Sequence, residues 1–101
     1  MNEPTLDELL ANVLRDAGWI MTGGSAQFRD GALSEMQSGL HLIGLRAVSE
    51  HVHNAAKVLS EKATEFVKTK ANDTESLMTM RRVVGEFEQA MKAYLATAKK
   101  R

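Results

Sequence analysis

Apolar side chains recur along this chain at intervals of three and four residues. Leu77, Met80, Val84, Phe87, Met91, Tyr94 and Ala98 are spaced 3, 4, 3, 4, 3 and 4. That is the a/d spacing of a heptad, which puts one apolar stripe along a helix that faces another helix. It predicts a helix over 74–99. Upstream, Leu33, Met36, Leu40, Ile43 and Ala47 follow the same rhythm. The stripe resumes at Val52, Ala55, Leu59, Lys62 or Ala63, and Phe66. Joining the two runs needs an extra partial turn, a stutter that should relax the supercoil at 47–52. The pattern predicts one long helix over about 32–71. Within it Gly39 and Gly44 each cost about 1 kcal/mol, which invites a bend or break between them.

A shorter helix is predicted over 6–20. Leu6, Leu10, Val13, Ala17 and Ile20 form its stripe, and Leu9 and Leu14 widen it. Thr5-Leu-Asp-Glu8 reads as a capping box, in which hydroxyl and carboxylate satisfy two free amides reciprocally. Thr22-Gly-Gly-Ser25 ends the helix. A loop over 22–31 follows, with Phe28 expected to plug the core. The long helix has start signals at Asp30, or at Ser34 with Gln37. Its end is marked by Lys68 and Lys70 in the last turn and by Asn72 as a left-handed cap, and Asp73 or Thr74 can cap the next helix.

The short connection at 71–74 makes the two long helices an antiparallel hairpin. The expected fold is therefore all-α: this hairpin plus the short N-terminal helix. The first half of the long helix outreaches the last helix, so a homodimer completing a four- or six-helix bundle is expected rather than a three-helix monomer.

Composition supports a folded helical domain. The chain has 101 residues, 44% hydrophobic and 26% charged, which suits one modest core. It has no cysteine, which excludes disulfides and thiolate metal sites. The start, MNEPTLDELL, is acidic and unlike a secretory signal. The longest near-apolar run, Leu40 to Leu45, is far short of the roughly 20 residues that span a bilayer. A cytoplasmic protein without a membrane segment is expected.

Net charge is zero but divided. Residues 1–50 carry seven acids against three bases, and residues 51–101 carry ten bases against six acids. The chain ends Lys99-Lys100-Arg101. These cations suit a helix C-terminus and are also candidate contacts for an acidic partner. The methionines read as core filler. Trp19 reads as a packing anchor, with an exposed hot spot for a partner as its alternative.

The densest polar stretch is RAVSEHVHN, residues 46–54. On a helix, at about 100° per residue, Ala47, Val48, Val52 and Ala55 define an apolar side with His51 at its edge. Arg46, Glu50 and His53 fall opposite, so the two histidines diverge and do not share a metal. Glu50-x-x-His53 has the spacing of helical di-iron sites but lies off the apolar seam. His41 and His51 are candidates for a pH-sensing interface. Arg46-x4-His51 resembles the Arg-x4–6-His motif of the small, dimeric, all-helical HEPN ribonucleases. That resemblance covers two residues and implies that both handle a scissile phosphate. The following position, usually polar in that family, is Ala47.

No catalytic set, metal site or cofactor is expected. The expected function is a non-enzymatic protein–protein interaction module: a small homodimeric adaptor, chaperone or regulator of another protein. Its seam is Leu33, Leu40, Ile43, Val52, Leu59, Phe66, Leu77, Met80, Val84, Phe87, Met91 and Tyr94. Trp19, Phe28, Lys99, Lys100 and Arg101 are its candidate partner contacts. A nucleic-acid-binding accessory protein using Lys57, Lys62, Lys68, Lys70, Arg81 and Arg82 is one alternative. The HEPN-like ribonuclease is the other.

Overall fold

Four helices follow one another: α1 (Leu6–Thr22), α2 (Ala26–Gly44), α3 (Glu50–Val67) and α4 (Thr74–Lys99). They come from a computed structural model that describes residues 3–22, 25–69 and 73–99, with Lys99 described by its backbone alone. Gly23, Gly24, Lys70, Ala71, Asn72, Lys100 and Arg101 lie outside the described residues, and with them the expected Asn72 cap. Among the described residues no strand occurs, and the all-α class holds.

α1 opens on the capping box. The Thr5 amide donates to Glu8 Oε1 and the Glu8 amide to Thr5 Oγ1, each at 3.1 Å. Its stripe then buries Leu9, Leu10, Val13, Ala17 and Ile20. α2 starts earlier than its expected start signals at Asp30 or Ser34. Ser25 is its N-cap and accepts the Phe28 amide at 3.1 Å. The position three residues after this cap is Phe28, not the Glu or Gln that completes a capping box. Most of the expected loop over 22–31 is therefore the start of α2. Phe28 lies on its first turn, largely exposed, and does not plug the core.

The expected long helix is two helices. α2 stops at Gly44, Leu45 stays right-handed, and its amide bonds back to His41 O. Ser49 then turns extended (φ −68°, ψ 157°) and N-caps α3 by accepting the Val52 amide at 3.3 Å. The mismatch read as a stutter is resolved by reversing the chain, at residues 45–49 and not between Gly39 and Gly44. Removing the Ser49 cap by Ser49→Ala should cost about 1 kcal/mol, measured by urea denaturation. An unchanged midpoint would show that the break holds without it.

The reversal makes α2 and α3 antiparallel neighbours. Gln37 Nε2 reaches Thr64 Oγ1 at 3.0 Å, and Arg29 donates to Phe66 O at 3.2 Å. α1 covers α2, and the approach is close at Gly39, where a Cβ would meet Val13 Cγ2 at 3.1 Å. α4 packs along α3 and also meets α1. The result is an up-down-up-down bundle of 44 × 31 × 16 Å. α1 covers what the expected hairpin left bare, so the core closes without a second chain.

Within the core, Leu40, Ile43, Val52, Leu59, Phe66, Met80, Phe87 and Met91 are buried, and Leu33, Leu77, Val84 and Tyr94 pack against them half-buried. Val83 and Ala90 lie deeper than Val84, because α4 faces α1 as well as α3. Two further expectations fail: Ala47 and Ala98 are exposed, and Met78 is 65% exposed rather than core filler. Tyr94 turns its hydroxyl to Ala47 O at 2.9 Å, tying the end of α4 to the α2–α3 connection.

Candidate interaction surface

The most concentrated set of unusual side chains lies where α1 meets α2. Trp19, in the last turns of α1, is 47% exposed, and Phe28, in the first turn of α2, is 45% exposed. Their ring centroids are 5.3 Å apart with the planes tilted by 31°. Capping explains the juxtaposition. α1 ends at Thr22 and Ser25 caps α2, which begins at Ala26, so Trp19 and Phe28 lie in the end turns that face each other. Trp19 is thus no buried anchor; it forms a surface pair with Phe28.

One turn back along α1, Arg15 lies with its guanidinium carbon 5.9 Å from the Trp19 ring centroid. It donates to Glu35 Oε1 on α2 at 2.6 Å, and its Nε is 3.7 Å from Asp16 Oδ1. Asp16 is 1% exposed, and neither carboxylate oxygen has a hydrogen-bond partner. Burial pushes its pKa above the ordinary carboxylate range; the neighbouring Glu35 adds to the rise and Arg15 partly opposes it. The surface therefore holds two exposed rings, an arginine lying against one of them, and a buried acid beneath.

Asp16 was missed because charged residues read as surface. The signal was available, since Leu9, Val13, Asp16 and Ile20 are spaced 4, 3 and 4, with Asp16 inside the apolar stripe. Arg29 was missed for the same reason. It is buried, places its guanidinium 5.2 Å from the Phe66 ring centroid, and caps the last carbonyls of α3. No spacing in the sequence marks that role, because the helix it caps is remote along the chain.

The stretch 46–54 comes apart at the helix break. Arg46 sits in the connection and not on a helix with Glu50. It donates to Pro4 O at 2.6 Å and lies 3.7 Å from Glu3. His51 lies on α3 in the groove against α4, so Arg46 and His51 line different surfaces. The HEPN-like pairing is not brought together. Glu50 and His53 are exposed, and so are His41 and His51. Among the described residues no three metal-ligating side chains cluster.

The basic half is diluted by its own acids. Lys62 pairs with Glu65 at 3.6 Å, Arg82 with Glu86 at 3.3 Å, and Lys92 with Glu88 at 2.8 Å. Lys57 and Lys68 are exposed. Among the described residues no helix is long and apolar enough to cross a membrane.

The class these features define is an all-α four-helix bundle with an aromatic pair on its α1–α2 surface. Comparison with protein-family models, with curated proteins and with solved structures finds no match to the chain.

Proposed function

We propose that this chain is a non-enzymatic helical interaction module: a small adaptor, chaperone or regulator in the cytoplasm that pairs with a second copy and presents the pair to another protein. The observation that carries the reading is the stacked, half-exposed Trp19–Phe28 pair with Arg15 beside it. Trp and Arg are the residue types that most often dominate binding energy at interfaces, and aromatic side chains are enriched there. A self-closed core leaves that pair with no structural reason to face water. In a two-fold dimer the same patch meets itself, so one aromatic cluster serves both subunits.

Size-exclusion chromatography with light scattering at micromolar concentration tests this. The parent should run as a dimer of the 11.1 kDa chain. Combining Trp19→Ala with Phe28→Ala should give a monomer with unchanged helical circular dichroism. A monomeric parent would end the reading.

A further inference from the structure

We propose that the groove between α3 and α4 binds a small amphiphilic anion, an apolar body carrying a carboxylate or comparable acidic head. This does not rest on the α1–α2 surface. The groove is open to solvent along one side and offers about 610 Å³, inside the roughly 300–1,000 Å³ typical of small-ligand sites. Its α3 wall carries Ala55 and Val58, and its α4 wall Val83 and Gly85. Val58 is 40% exposed there, an apolar side chain left only partly covered.

The floor is apolar for a backbone reason as well. Gly85 sits in mid-helix, where glycine is unfavourable, yet a Cβ built on it would meet nothing within 4 Å. Helix packing therefore does not require the missing side chain. Its absence leaves open space in the groove, where a ligand's apolar body fits.

The rim supplies the charge. Arg81 and Arg82 both line the groove, and Glu86 is the acid facing them. Glu86 engages Arg82 at 3.3 Å, while among the described residues no ion pair engages Arg81. α3 and α4 run antiparallel, so Val58 lies toward the arginines and His51 toward Gln89 at the far end. An acidic head bound by Arg81 would lay its tail along Val58, Ala55 and Gly85. A fork of guanidinium donors matches a carboxylate or phosphate in geometry as well as charge. The walls span about two helical turns, from His51 to Val58, or some 10 Å at about 1.5 Å per residue. That suits a short amphiphile better than a docking protein, which needs about 800 Å² on each partner.

The test is titration of the whole protein with sodium octanoate and, separately, with neutral octanamide, followed by amide chemical shifts. Octanoate should shift the amides of Ala55, Val58 and Gly85 saturably, and octanamide should bind about tenfold more weakly or worse. Combining Arg81→Gln with Arg82→Gln should bring octanoate down to the octanamide level. Gly85→Leu should obstruct the groove and weaken both responses while circular dichroism shows the helices intact. No saturable shift with octanoate would overturn the assignment, as would equal binding of octanamide or undiminished binding by a folded Gly85→Leu variant. A short acidic amphipathic peptide that shifts these amides when octanoate does not would give the groove to a protein partner, and would overturn it too.

Discussion

Replacing Phe87 with alanine should destabilise the protein by about 3–5 kcal/mol. Phe87 is 0% exposed and belongs to the single cluster formed by all four helices. The loss has two parts: the transfer energy of a buried ring, and the void left when close-packed neighbours relax only partly. A domain of this size holds roughly 5–15 kcal/mol in total, so the variant should unfold at markedly lower temperature and denaturant. Met78, on the same helix but mostly exposed, is the control, and Met78→Ala should change stability by no more than about 0.5 kcal/mol. Equal losses from the two substitutions, measured by urea denaturation, would mean that α4 is rotated from the face assigned here.

Asp16→Leu should do the opposite and stabilise the protein by about 1–3 kcal/mol at neutral pH. The carboxylate lies in the apolar stripe of α1, neither oxygen accepts a hydrogen bond, and Arg15 approaches it only to 3.7 Å while bonding Glu35 at 2.6 Å. A leucine there continues the run from Val13 to Ile20. The pH dependence has a defined sign. Asp16 has a raised pKa in the folded state, so that state binds the proton more tightly than the unfolded chain does. This contribution is complete below the unfolded carboxylate range and is lost as pH rises through the folded value. The advantage of the leucine variant should therefore be greatest near neutrality and shrink as pH falls through the carboxylate range. Acids remote from Asp16 contribute alike to both proteins and cancel in the difference. A leucine variant that is less stable than the parent, or an advantage that does not vary with pH, would refute a net cost for burying this carboxylate.

The class of the fold was legible because periodicity reports burial directly. Leu59, Phe66, Met80 and Phe87 are all in the core, and their spacing alone predicts it. The break at 45–49 was harder to read. An insertion in a heptad stripe looks the same whether the helix unwinds locally or the chain turns back. What decides it is Ser49 as a cap and α1 as cover for α2, and the second is a tertiary fact. Phe28 was misplaced because its cap, Ser25, lacks the reciprocal partner that makes such signals conspicuous. The aromatic pair was only half readable. Trp19 and Phe28 each stand out in composition, but their stacking depends on how the end of α1 packs against the start of α2. The groove was not readable at all, since it joins residues on two helices through their register.

Arg46 holds Pro4, and Tyr94 holds Ala47, so the segment leading into α1 and the final turns of α4 are both fastened to the connection at 45–49. Entry and exit therefore share one pole. Such a body can be spliced into a surface turn of another polypeptide without prising its host apart, and the Trp19–Phe28 pair, at the opposite pole, would point away from the splice.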